Sequence, residues 1–136
     1  MIRPGNPCDA AVIDAFDPFG GSRELEAADG RLHVFEHPDA GLVGYISTAE
    51  YLFHGFPYVT FLAVREGHQR NGVATKLLHH VERLNEGKRL FISVESDNRP
   101  MISLLEKEGF ARSGALGGLN DSHSGVDEVF YFKDLS

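Results

Sequence analysis

Residues 64–78 read VREGHQRNGVATKLL, an apolar run joined to an amphipathic one through Gly, Gln, Arg and Asn. A helix that begins at such a junction leaves up to four N–H groups without intrahelical partners and carries roughly half a positive charge at that end. Glycine there lets an oxyanion approach the backbone closely. The chemistry on offer is anion binding, phosphate above all, unless the stretch is only a tight strand-to-helix turn. Spacing excludes two familiar phosphate loops: the chain has no GxxxxGK[ST], and no GxGxxG with an acid about 20 residues on. What remains is Gln69-x-x-Gly72-x-Ala74.

The other reactive residue types are spaced against metal chemistry. His33 and His37 are four apart, but RLHVFEH alternates as a strand, where that separation is about 13 Å. His79 and His80 fall mid-helix and read as surface residues. Cys8 is the only cysteine, with no HExxH and no second thiol to complete a site. No metal is expected, and the lack of any internal disulfide suits a reducing cytoplasm.

These residues need elements to position them. DAAVIDAF (9–16) reads as a short helix with Asp9 as its N-cap, broken by DPFGGS (17–22). RLHVFEH (31–37) and AGLVGYIS (40–47) read as strands joined by a turn, and YVTFLAV (58–64) as a strand buried on both faces. Val73, Leu77, Leu78, Val81 and Leu84 recur at helical spacing within 72–87, which ends at Asn85 and Gly87. RLFISVES (89–96) is the next strand. NRPMISLLEKEGF (98–110) is a second long helix, with Pro100 in its first turn and Gly109 at its end. SGALGGLNDSHSG (113–125) reads as a long loop before a closing strand at 126–135. The alternation from residue 58 onward predicts an α/β layered domain.

At 136 residues the chain fits a single domain, 1–136. No run of about 18 apolar residues occurs, and the first residues lack a basic region followed by an apolar core, so neither membrane nor export is expected. Net charge is −7, unevenly spread: residues 1–57 carry nine acids and three bases, residues 58–136 eleven and ten. Such a balance disfavours nucleic acid, whose binding relies on Lys and Arg against phosphate. It either attracts a cationic small molecule or only keeps the protein in solution.

The stretch QRNGVA, preceded by FLAV and followed by TKLL, resembles the Gln/Arg-x-x-Gly-x-Gly/Ala motif of the GNAT superfamily of acyl-CoA-dependent N-acetyltransferases. NRPMISLLEKEGF resembles that family's N-x-x-A-x-x-LYEK-x-GF helix, and the opening MIRPGNPCDAAVIDAF its first strand and helix. The resemblance implies a mixed central sheet flanked by helices, with central strands splayed at the CoA site. It implies acetyl-CoA as co-substrate and a primary amine, on a small molecule or peptide, as acceptor. The amides of Arg70, Asn71, Gly72, Val73, Ala74 and Thr75 would hold the pyrophosphate, and Gln69, which opens the motif, would belong to the same cofactor site. Leu62, Ala63 and Val64 would pair with pantetheine, and the Val64 amide would polarise the thioester carbonyl. Asn98 would contact the pantetheine arm, cap its own helix, or do both.

The catalytic positions depart from the pattern. Leu105 stands where many relatives carry the tyrosine of LYEK, and Tyr58 where the histone-type branch carries a basic glutamate. Either other groups serve, or the chain is a non-catalytic acyl-CoA sensor. Candidate substitutes are Glu95 as a base through water, Tyr131 as a donor to sulfur, and Tyr58 as a pocket or water-binding residue. The acids Asp14, Asp17, Glu24 and Glu26 lie in the segment that walls the acceptor site in relatives, so a cationic amine or basic peptide is expected. The 113–125 loop offers a surface for a homodimer.

Overall fold

The computed structural model describes residues 1–18, 20–119 and 125–136. Its strands are β1 (Ile2–Pro4), β2 (Leu32–His37), β3 (Gly41–Phe53), β4 (Phe56–Val64), β5 (Arg89–Glu95), β6 (Ala111–Leu116) and β7 (Glu128–Asp134). Its helices are α1 (Asp9–Phe16), α2 (Arg23–Ala28), α3 (Val73–Leu84) and α4 (Arg99–Lys107). The strands form one mixed sheet in the order β1-β2-β3-β4-β5-β7-β6. Two compact units are distinguishable, Met1–Ala49 with Val59–Leu84 and Glu50–Tyr58 with Asn85–Ser136.

In the first unit, β2 pairs antiparallel with both β1 and β3, with a register shift between Phe35 and Glu36. Ile13 of α1 packs on Leu32, Val34, Leu42 and Tyr45, with Phe16, Ala27, Phe61 and Ala63 around them. Each fully buried aliphatic side chain there contributes about 2 kcal/mol. Asp9 is the first helical residue of α1 and not its cap; Cys8 holds the cap position without a side-chain bond. The Asp9 carboxylate instead takes a bidentate pair from Arg3 and the amide of Asn6, which hold it below the usual carboxylate range. The sequence pattern had no helix at RELEAA, because six residues are too few to display a period; Ser22 caps it by accepting from the Leu25 amide.

In the second unit, the end of β3 turns into β4 through His54 and Gly55, with φ of 52° and 87°. Two successive positive φ values are what a two-residue hairpin requires. β5 and β6 both pair antiparallel with β7, which lies between them. Leu105 and Phe110 are buried, as are Leu90, Ile92 and Val94 on one face of β5. The expected loop at 113–125 is shorter: residues to Leu116 are strand β6, where ladder bonds to β7 outweigh the poor strand propensity of glycine. The central part of that expected loop, 120–124, lies outside the described residues. Among the described residues no helix is long and apolar enough to cross a membrane.

Candidate active site

In the first unit β4 ends at Val64, and the next amide, Arg65, donates to the Val43 carbonyl on β3 at 2.7 Å. Strand alternation then directs the Val64 N–H and C=O to the opposite edge of β4. On that edge Gln69 Nε2 donates to the Val64 carbonyl at 3.0 Å. The Gln69 side chain thereby ties the loop to the strand it follows, a role that needs its amide at this distance along the chain. Arg70 and Gly72 then take φ of 69° and 79°. Left-handed geometry is uncommon for a non-glycine residue, and such outliers gather at binding loops. The first bond into α3 is Lys76 N to Gly72 O, at 3.0 Å. Among the described residues, the amides from Gln69 to Thr75 have no hydrogen-bond acceptor.

A Cβ on Gly72 would meet nothing within 4 Å, so the space above this residue is open to a ligand atom. Arg70 and Asn71 are exposed, Val73 is buried, and Ala74 and Thr75 are half-buried, as are Leu62, Ala63 and Val64 on β4. Gly44 fixes how closely α3 approaches the sheet. A Cβ there would stand 2.9 Å from Val73 Cγ1 and 3.3 Å from the Ala63 carbonyl oxygen. The open backbone, unpaired amides and helix end together suit a pyrophosphate.

Helix α3 is also fastened to β2 by histidines. His80 Nε2 lies 3.2 Å from His33 Nδ1, with the rings 4.7 Å apart. His80 is therefore half-buried against the strand rather than on an open surface. Burial and the neighbouring His80 hold His33 below its ordinary value, and burial with Arg83 does the same for His80. Each imidazole binds a proton more weakly folded than unfolded, so the unfolded chain gains protons first as pH falls below 6.5. Stability should be full above that pH and decline below it. A urea midpoint that drops between neutral and mildly acid pH, and drops less in His33→Gln/His80→Gln, is the expected result.

A second polar group of the first unit is sealed. Arg23, 3% exposed, pairs with Glu26 at 2.7 Å and donates to the Tyr45 hydroxyl at 2.7 Å, while that hydroxyl donates to Asp17. The Arg23 guanidinium lies 4.0 Å above the Phe61 ring. Burial pushes the Glu26 carboxyl up and Arg23 pulls against it; burial and Asp17 push the Tyr45 phenol up. Asp17 and Glu26 are thus committed to a buried network. Of the four acids expected to face an acceptor, only Asp14 and Glu24 are exposed.

The second unit carries the remaining candidates. Asn98 is the N-cap of α4, accepting from the Met101 amide at 3.3 Å. Leu105 is fully buried and has no proton to give. Tyr131 is 3% exposed, and its hydroxyl makes no hydrogen bond among the described residues. Glu95 closes β5 directly opposite Glu128 of β7. The Tyr58 hydroxyl lies 2.7 Å from Ser93 Oγ, which donates to Glu128 Oε2 at 2.8 Å. Burial and the nearby Glu128 charge push the Tyr58 phenol up, against the bond to Ser93. Sequence reasoning missed Ser93 and Glu128. Alternation along RLFISVES places Ser93 on the face of Glu95, but only the pairing of β5 with β7 brings in Glu128. Among the described residues no three of His, Cys, Asp and Glu come together as a metal site.

Comparison with known proteins agrees with this frame. The chain superposes on an acetyltransferase of the GNAT family from Bacillus cereus with TM-score 0.81 at 18% identity, covering 100% of this chain and 97% of that one. It superposes on NAA60 of Arabidopsis thaliana, solved with a bisubstrate analogue, with TM-score 0.75 at 18% identity, covering 100% and 98%. For yncA of Salmonella typhimurium, solved with its cofactor acetyl-CoA, the TM-score is 0.75 at 20% identity, covering 100% and 94%. No curated protein matches the sequence. The model of the acetyltransferase (GNAT) family matches residues 7–110. By that match, and with a sheet and helices arranged as in those structures, this chain belongs to the GNAT acetyltransferase family.

Proposed function

We propose that this acyltransferase moves an acetyl group from acetyl-CoA to a primary amine of a small molecule or peptide, by direct attack of the amine on the thioester. The observation that carries the reading is the run of unpartnered amides from Gln69 to Thr75 beneath the open backbone of Gly72. In this reading those amides take the pyrophosphate, and the small Ala74 keeps the approach clear. Leu62, Ala63 and Val64 offer a strand edge to pantetheine. The Val64 amide meets the thioester oxygen as negative charge develops there, the situation in which a fixed donor contributes most. Asn98 contacts the pantetheine arm as well as capping α4. The whole chain, 1–136, acts as one domain in the cytoplasm.

With Leu105 unable to donate, the CoA thiol leaves as thiolate, which a thiol of ordinary pKa about 8.5 does without an acid. Deprotonating the amine is the harder demand, since an alkylammonium of pKa about 10 is no nucleophile. Glu95, Tyr131 and Tyr58 are the candidates for proton handling. The acceptor is a cationic amine, for which the exposed Asp14 and Glu24 supply attraction. Titration calorimetry with acetyl-CoA and thiol release across an amine panel test the reading together. Binding is expected, with fastest release from polyamines and basic peptides. Binding with no release from any amine would make the protein an acyl-CoA sensor instead.

A further inference from the structure

Two imidazoles face each other between β2 and α3 of the first unit. His33 Nδ1 and His80 Nε2 stand 3.2 Å apart, with ring centroids 4.7 Å apart and planes tilted by 62°. Both rings sit on elements held firmly in place. His33 lies opposite Pro4 of β1 and Ile46 of β3, so its strand is paired on both sides. His80 belongs to a helix whose inward residues Leu77, Leu78 and Val81 are buried. Two neutral imidazoles cannot aim lone pairs at one another, so the facing nitrogens share the proton of one of them. Each ring has a second nitrogen that can carry its proton instead. Among the described residues neither of these, His33 Nε2 and His80 Nδ1, has a hydrogen-bond partner. With both protons turned outward, the facing nitrogens become two donors to a single point. Nitrogens held about 2.05 Å from a tetrahedral metal lie about 3.3 Å apart. The 3.2 Å found here needs almost no adjustment. Burial holds both imidazoles below their ordinary value, so at pH 7 they are neutral, the form that ligates a metal.

We propose that His33 and His80 form a two-histidine site for a divalent transition metal that favours imidazole, such as nickel or zinc, and that the bound metal staples α3 to β2. Among the described residues no third His, Cys, Asp or Glu joins the pair, so water completes the coordination and the metal exchanges readily. Lys76 and Arg83 lie one turn from His80 on α3, and their charge further weakens the hold on a cation. Magnesium and calcium, which take oxygen ligands, find nothing to bind in this pair. The staple acts on the helix that begins just after Gly72, at the end of β4 and its loop.

The test is the thermal midpoint of chelator-treated protein, free of any histidine tag, on addition of nickel, zinc or magnesium chloride near neutral pH. Wild type, His33→Gln and His80→Gln are each compared with their own metal-free midpoint, so a variant that is merely less stable still reports. Nickel and zinc should raise the wild-type midpoint by about 8 °C once the metal exceeds its Kd about 100-fold. Magnesium should leave it unchanged. Either glutamine variant keeps a single imidazole and should lose the nickel and zinc shifts. Titration calorimetry should find one nickel ion per wild-type chain. Acetyl-CoA and amines take no part in these readouts, so the outcome is independent of the acyl-transfer reading. No shift in wild type would reduce the pair to a hydrogen bond and overturn the site. A shift that survives in either variant would place the metal elsewhere and overturn it too, as would an equal shift with magnesium.

Discussion

Gly72→Val should weaken acetyl-CoA binding by about 100-fold or more, read by titration calorimetry, while circular dichroism and the thermal midpoint stay near wild type. Gly72 holds φ of 79°, and the space a Cβ would enter is open. The substitution therefore creates no clash inside the protein. Its cost is conformational, because a β-branched residue is a genuine outlier at positive φ. The loop can escape by turning residue 72 to negative φ, which re-aims the amides on either side. If two charge-assisted hydrogen bonds to phosphate are lost at about 1.5 kcal/mol each, affinity falls about 100-fold. The valine methyls also occupy the approach to the backbone. Gly72→Ala should fall between the two, having the strain with less bulk. Unchanged affinity in Gly72→Val would remove this loop from the binding site.

The largest effect on stability is expected from Arg23→Met. Arg23 is 3% exposed, Glu26 4% and Asp17 6%, so the methionine would leave a buried carboxylate at Glu26 without its cation. Removing one partner of a buried pair costs about 3–5 kcal/mol, a large fraction of the 5–15 kcal/mol that holds a typical domain folded. Methionine fills much of the volume and keeps some packing on Phe61, so the loss reports charge more than cavity. Adding Glu26→Gln should return a good part of it, because the stranded charge is then gone. Urea midpoints of wild type, both single variants and the double variant form the cycle. A loss below about 1 kcal/mol in Arg23→Met would mean that water already reaches the pair.

The elements that repeat their own period were legible in the chain. Val73, Leu77, Leu78, Val81 and Leu84 mark α3 at helical spacing; the first four are buried in the structure, while Leu84, in the last turn, is exposed. Asn98 was readable as a helix cap because a cap acts on an amide only three residues away. The helix α2 was not, since six residues hardly exceed one turn and its inward residues are Arg23 and Glu26, which a hydrophobic pattern assigns to the surface. Strand β6 was hidden for a related reason: its glycines read as a loop, and only β7 alongside supplies the ladder that makes them a strand.

By itself the sequence determined the family to which the chain belongs and the local feature at its centre, a glycine-bearing strand-to-helix junction whose amides face no partner of their own. That much depends on neighbours in the chain, on φ at Arg70 and Gly72 and on the start of a helical period. The tertiary structure alone decided which charged groups are available for chemistry. It withdrew Asp17 and Glu26 into a network with Tyr45 and Arg23, and it lined Tyr58 up with Ser93 and Glu128. Arg23 and Glu26 are only three residues apart, but Tyr45 stands 22 residues from Arg23 and 28 from Asp17, and Ser93 stands 35 from both Tyr58 and Glu128. Pairings at those distances follow from strand register and burial, which no local pattern encodes.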